Sequence, residues 1–375
     1  MRKKVAFLFL GETLLIPHLF PIVEQLAEID PGLPIDLWVS TSLHEDMLVT
    51  WTVDYPEVRV RRAPGFRRAF ANSIAGPSPL PAKLPMLLRL APRLARVPVV
   101  VCAEQTSLWL PRLVPWFPSR FVKTSHGVGS MSARDDSRRM AAFQTLVPSE
   151  QERRTYLDRG MASDRIVATG YVKSAFRQRT PLRSLFDYER PTILYNPHWQ
   201  PHRSSWPDWG RSVVDFLSAQ TEWNVILAPH QRLVERAPEV RAVLTSVANL
   251  PHVHVDLDSF AMVDGSYTSA ADLYLGDTSS QLIEFLAKPR PAVFLNPFGR
   301  TWEADPNFEM WHAGEVVTDL TTLPAAIARA RPSHASFLET QRRIADNALG
   351  GTDDLGARRA AKQVLRILAL SDGTR

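Results

Sequence analysis

Short apolar runs rich in β-branched residues recur along this chain and alternate with longer stretches whose apolar positions fall at helical spacing, the pattern of βαβ units on a parallel sheet. A first series reads as strands at Val5 to Leu10, Ile35 to Val39, Val97 to Cys102, Arg120 to Thr124, Thr145 to Val147 and Ile166 to Ala168. A second begins after Pro181, with strands at Thr192 to Tyr195, Val225 to Ala228, Val253 to Val255, Leu273 to Leu275, Ala292 to Leu295 and Val316 to Val317. Helices are expected at Ile16 to Glu28, Glu150 to Asp158, Asp208 to Gln220, Ser279 to Leu286 and Leu323 to Ala330. A last one, Leu355 to Leu370, gathers Ala361, Val364, Leu365 and Leu368 on one face. Two series of this kind predict two consecutive α/β domains facing a central cleft, residues 1–175 and 176–375, joined through the polar, basic stretch Lys173 to Arg190. The last helix is free to pack back on the first domain.

A length of 375 residues agrees with two domains at about 150 residues each, and 45% hydrophobic with 22% charged residues describes a folded globular chain. The one cysteine, Cys102, excludes an intrachain disulfide or a cysteine metal cluster and fits a reducing cytoplasm. The basic, apolar opening MRKKVAFLFL is interrupted at Gly11-Glu12 with no small-residue cleavage site after it, so it reads as a first buried strand. No run reaches the roughly 18 to 20 apolar residues of a membrane span. The expected location is cytoplasmic, with peripheral contact at the inner face of the cell membrane.

The net charge of +5 is a local feature. Residues 58–103 hold nine basic and no acidic residues (Arg59, Arg61, Arg62, Arg67, Arg68, Lys83, Arg89, Arg93 and Arg96), leaving 35 basic against 39 acidic elsewhere. No zinc-finger spacing, RNP-like motif or helix-turn-helix accompanies them, so nucleic acid is not the expected partner. Within Pro79 to Val101, Leu87, Leu90, Leu94 and Val97 share a stripe beside Arg89, Arg93 and Arg96, while Pro85 and Pro92 predict a short or broken helix. A core-packed helix with solvated arginines is one reading. The absence of local acids favours the other, an anionic membrane surface.

Ligands of doubly wound sheets bind beyond the carboxyl ends of strands, and several strands here end in polar clusters. These are Ser125-His126-Gly127-Val128-Gly129-Ser130, Asn196-Pro197-His198-Trp199-Gln200, Pro229-His230-Gln231-Arg232 and Gly276-Asp277-Thr278-Ser279-Ser280. A helix beginning at Thr278 or Ser279 can cradle a phosphate with its free N–H groups and hydroxyls, and Glu284 one turn on can accept from ribose hydroxyls. Asp277 or Thr278 can equally be a plain helix cap. His126 has the chemistry of a general base toward an acceptor hydroxyl, with Gly127 leaving room, and His230 that of a donor to phosphate oxygens; either can also be a structural loop histidine. The pairs His198/His202 and His252/His254 lack the carboxylate spacing of a zinc site, and Asp135-Asp136 and Asp353-Asp354 read as solvated surface. No metal site is expected. There is neither a nucleophile elbow nor a Walker loop.

Taken together, His126-Gly127, Gly170-Tyr171, Asn196-Pro197-His198-Trp199, Ala228-Pro229-His230, Gly276-Asp277-Thr278-Ser279-Ser280, Glu284 and the tail Asp353-Asp354-Leu355-Gly356-Ala357-Arg358-Arg359 resemble, in order, the motifs of the CDP-glycerol glycerophosphotransferase family, the teichoic-acid primases and polymerases. The chain departs from that pattern in Val128-Gly129 after the His-Gly pair, in the residues after Gly170-Tyr171, and in Gln231 after His230. The resemblance implies GT-B architecture with two Rossmann-like doubly wound domains, an acceptor-side first and a donor-binding second. It implies a base at His126, a nucleotide diphosphate held by His230, Thr278, Ser279 and Ser280 together with His198 and Glu284, and no obligatory metal or cofactor. The expected reaction transfers a glycerol-phosphate, other polyol-phosphate or sugar group from a nucleotide-activated, CDP-linked donor to a cell-envelope glycan or lipid-linked acceptor. The alternatives are a GT-B glycosyltransferase using a UDP- or GDP-sugar and a nucleotide-binding scaffold without catalysis.

Overall fold

In the computed structural model, which describes residues 3–69, 80–128, 137–183 and 185–372, every run read as a strand is one, within a residue or two at its ends. Gly129, Ser130, Asp135 and Asp136, residues 70–79 of the basic segment and Ser184 of the linker lie outside the described residues. The chain divides into two units, Met1–Gln178 with Asn347–Arg375, and Arg179–Asp346.

The first unit contains β1 (Val5–Phe9), β2 (Ile35–Thr41), β3 (Val58–Arg67), β4 (Val99–Cys102), β5 (Arg120–Thr124), β6 (Gln144–Val147) and β7 (Ile166–Ala168). They form one parallel sheet in the order β3-β2-β1-β4-β5-β6-β7, so strand order reverses between β1 and β4. Both faces are covered, which is why β1 and β4 read as unbroken apolar runs buried at every position; β2 is buried throughout as well, with Asp36 its one charged residue. The final helix, Gly356–Asp372, packs on Phe20–Ile29 within this unit. It is pinned by Arg120 Nη1 donating to the Ile367 carbonyl (3.1 Å) and Gln363 donating to Gln144 (2.6 Å). Its start rests directly on the turn after β7: a Cβ at Gly356 would lie 2.9 Å from the Gly170 carbonyl carbon, and Gly170 itself has φ +92°. Two of the glycines that carry the family resemblance therefore meet each other, and they do so as a packing contact.

The second unit contains β8 (Thr192–Asn196), β9 (Asn224–Leu227), β10 (Val253–Val255), β11 (Leu273–Gly276), β12 (Ala292–Leu295) and β13 (Glu315–Val317), all parallel in the order β10-β9-β8-β11-β12-β13. This is the order of a dinucleotide-binding sheet, with its reversal between β8 and β11. Val213, Val214 and Leu217 of the helix Trp206–Ala219 and Ala326 and Ile327 of the helix Leu323–Ala330 close its core.

Several expectations are corrected. Strand β3 was hidden by its arginines, which alternate on an edge strand with only Val58 and Ala63 buried. Pro85 and Pro92 do not break the helix Lys83–Leu94, since the first stands in its opening turn, where the missing N–H has no partner to lose, and the second near its end. Its stripe of Leu87, Leu90 and Leu94, with Met86, is in the protein core, so that stripe is not presented to a membrane. Nor is the basic segment wholly without acids. Asp36 pairs with Arg61 (2.6 Å), Glu45 with Arg62 (2.7 Å) and Glu104 with Lys83 (2.5 Å), from outside the acid-free run. Arg59, Arg67, Arg68, Arg89, Arg93 and Arg96 are exposed. No helix among the described residues is long and apolar enough to cross a membrane.

Candidate functional site

In the second unit the polar strand ends converge on the reversal between β8 and β11. The close approach of these strands requires glycine at 276, where φ is +148° and a Cβ would stand 2.8 Å from the Asn196 carbonyl oxygen. Asp277, fully buried, accepts from the backbone N–H of His198 (2.8 Å) and of Ser205 (3.0 Å), so the end of β11 clamps the loop that follows β8. Burial pushes its carboxyl up to about 7 against the opposing pull of those two donors. Asp277 is therefore a loop anchor, and the cap is Ser279, whose Oγ accepts from the Gln281 N–H (3.0 Å). The helix it caps, Ser280–Leu286, is short, so hydroxyls rather than a macrodipole must carry any anion binding here. Thr278 supplies one: its Oγ1 is buried with no hydrogen-bond partner among the described residues. Ser280 and Glu284 are half-buried on the same helix.

The two histidines of this unit are held alike. His198 Nδ1 accepts from the Gln200 N–H (3.1 Å), and His230 Nδ1 accepts from the Arg232 N–H (3.2 Å), capping the helix Gln231–Arg236. An Nδ1 that accepts leaves the ring proton on Nε2, so both side chains are Nε2–H donors. Burial, and then Arg232, lowers His230 to about 4, so it is a neutral donor and not a cation. The rings stand 5.7 Å apart, edge to face, with Trp199 stacked 5.9 Å from His198 and Arg236 over the Trp199 ring at 4.5 Å. Asn196 Nδ2 donates to the Ala228 carbonyl (2.5 Å), tying the ends of β8 and β9 together. His198, His230, Thr278 and Ser279 thus share one edge.

In the first unit, His126 follows β5 and is exposed, with Gly127 half-buried after it. Its Nδ1 lies 3.2 Å from the Ala103 carbonyl, which can only accept, so Nδ1 carries a proton and, in the neutral ring, Nε2 is the accepting nitrogen. That is the tautomer of a general base, opposite to the one in the second unit. Ser125 Oγ donates to Glu152 (3.1 Å), whose own N–H is capped by Ser149.

Sequence reasoning missed the surroundings of His126. His18, at the end of the turn Thr13–His18 after β1, is buried with its ring 5.7 Å from that of Tyr171, and its Nδ1 has no partner among the described residues. Burial, then Lys173, His126 and Lys123, lowers its pKa well below the usual histidine value. Lys123 is buried in β5 and Lys173, which opens the stretch read as a polar linker, is buried in the turn Val172–Ala175. Cys102 is buried and its thiol pushed up to about 12 by burial, which leaves it unreactive. His252 Nε2 donates to the Ser218 carbonyl and His254 Nε2 meets the Tyr267 hydroxyl. Among the described residues no three His, Cys, Asp or Glu side chains converge as a metal site would require.

No family model matches the chain, and no curated protein matches it in sequence. Solved structures do match in fold. The wall teichoic acid polymerase TagF aligns with a TM-score of 0.66 at 12% identity, over 100% of this chain and 90% of that one. A TagF histidine variant soaked with CDPG aligns at 0.65 and 13% over 99% and 90%. The S. aureus MnaA–UDP co-structure aligns at 0.64 and 13% over 98% and 97%, and UDP-GlcNAc 2-epimerase from Neisseria meningitidis, bound to UDP-GlcNAc, at 0.61 and 13% over 98% and 100%. With two parallel, doubly wound sheets matched over nearly its whole length, the chain has the GT-B-like architecture that its teichoic-acid resemblance implied.

Proposed function

We propose that this protein is a transferase that moves a polyol-phosphate or sugar group from a nucleotide-activated donor, CDP-linked, to a cell-envelope glycan or lipid-linked acceptor at the cytoplasmic face of the membrane. The observation that carries the reading is the opposite setting of its histidines: a proton-accepting Nε2 at His126 and proton-donating Nε2–H groups at His198 and His230. His126 takes the proton of the acceptor hydroxyl as its oxygen bonds to the transferred phosphorus or sugar carbon, and the bond from that atom to the nucleotide phosphate breaks. His230, His198 and the hydroxyls of Thr278, Ser279 and Ser280 donate to the departing phosphate, and Glu284 accepts from a ribose hydroxyl. Neutral donors of this kind can disperse the leaving charge without an obligatory metal.

TagF soaked with CDPG supports the CDP-linked donor. The MnaA and epimerase structures, which hold UDP and UDP-GlcNAc, favour a UDP-sugar as the second reading. A panel of CDP-, UDP-, GDP- and CMP-linked donors, assayed with the purified protein for nucleotide release and for affinity, separates them. Release from a CDP-linked donor in the presence of a polyol-phosphate or glycan acceptor is the expected result. Release from UDP- or GDP-sugars alone supports the second reading, and tight binding without turnover of any donor would make the protein a scaffold.

A further inference from the structure

One side of the first unit leaves large apolar groups in water. Trp116 is 81% exposed, Leu113 and Leu88 51% each, and Leu84 38%. Leu84 and Leu88 lie on the outward face of the helix Lys83–Leu94, whose other face is in the core; Leu113 ends the helix Trp109–Leu113, and Trp116 follows it before β5. These segments are packed together. Trp109 and Phe117 sit on the same core cluster as Leu87, Leu90 and Leu94, and Ser119 Oγ donates to the Leu94 carbonyl (2.6 Å). Exposed arginines surround the apolar groups, with Arg89 and Arg93 on the helix, Arg96 just after it and Arg112 beside Leu113. From residue 83 to residue 120 the sole acid is Glu104, which is half-buried and whose Oε2 accepts from Lys83 (2.5 Å) and Thr106 (2.9 Å).

We infer that this face docks on an anionic lipid surface, with Trp116, Leu113, Leu88 and Leu84 in the interfacial layer and Arg89, Arg93, Arg96 and Arg112 on the headgroup phosphates. An indole at a membrane interface keeps its polar edge wet and its ring in the acyl boundary. Guanidinium groups match phosphate in charge and geometry, whereas the core of a protein–protein interface is depleted of charge. The lipophilic set differs from the leucine stripe singled out in the sequence, because that stripe is spent on the core. This inference deepens the reading of a lipid-linked acceptor, and its test needs neither donor nor acceptor, so the two can fail separately.

The test is co-sedimentation of the full chain with vesicles of phosphatidylcholine alone and of phosphatidylcholine mixed with phosphatidylglycerol, at about 0.05 M and about 0.5 M salt. The parent should partition onto the mixed vesicles only, about tenfold more weakly at the higher salt. The combined variant Arg89→Glu, Arg93→Glu and Arg96→Glu should lose on the order of a hundredfold in partitioning. Trp116→Ser with Leu113→Ser should lose about tenfold at both salt concentrations, with the salt dependence unchanged. All five side chains are exposed, so unaltered thermal melts will show that the variants fold. Failure of the parent to bind mixed vesicles, or equal binding by parent and variants, overturns the inference. So does a change of sedimentation mass in the Trp116 variant without vesicles, which would make the face a contact between copies of the chain.

Discussion

The two units share a strand plan but hold their polar edges differently. In the second, Asp277 anchors the loop after β8 by two backbone bonds, His198 and His230 each brace a backbone N–H, and Trp199 packs against both rings. In the first, the exposed His126 is oriented through its contact with the Ala103 carbonyl, above buried basic groups. A braced edge suits binding, where donors must be in place before the ligand arrives. An exposed imidazole whose Nδ1 is engaged by a carbonyl suits proton removal. The same residue type is thus held in opposite tautomers by which backbone group, a carbonyl or an N–H, engages its Nδ1.

The largest effect should come from the first unit. His126→Ala is expected to lower the transfer rate by about 10² to 10⁴ while leaving nucleotide affinity within about twofold, as a lost general base should. A matched fall in affinity, read by titration calorimetry, would break the division between the units.

Asp277→Ala comes next, and its signature is the reverse. It orphans two buried N–H groups at a cost of about 2 to 4 kcal/mol, so the melting temperature and nucleotide affinity should fall together. The pH response sharpens this. Because the folded pKa, about 7, stands above the unfolded value near 4, the native state holds the proton longer, and the group's contribution to stability is lost as pH rises from about 4 to 7. Asp277→Asn should flatten that slope in urea titrations.

Thr278→Val should do least. Replacing an orphaned buried hydroxyl with a methyl group leaves stability unchanged or slightly raised, while a phosphate that used the hydroxyl loses about three- to tenfold in affinity. Unchanged affinity would remove Thr278 from the cradle.

Much of this was legible in the chain. Strands buried on both faces announce themselves as apolar runs, and the polar clusters at their ends marked His126, His198, His230 and the Thr278–Ser280 segment before any fold was known. What stayed hidden depended on partners distant in sequence. Glu104 for Lys83 and Asp36 for Arg61 cannot be paired from local charge counts, and β3 lost its strand signal to its arginines. His18 and Lys173 are ordinary in sequence and are joined to His126 only by folding. Asp277 looked like a cap because the anchoring of a loop dozens of residues away has no local signature.

The opposed tautomers are tested most directly by nitrogen-15 NMR of the imidazole rings in the free protein near neutral pH. An Nδ1–H signal is expected for His126 and Nε2–H signals for His198 and His230, with His230 remaining neutral as the pH is lowered toward about 4. An Nε2–H signal for His126, or an Nδ1–H signal for either of the other two, would contradict the division of roles between the units.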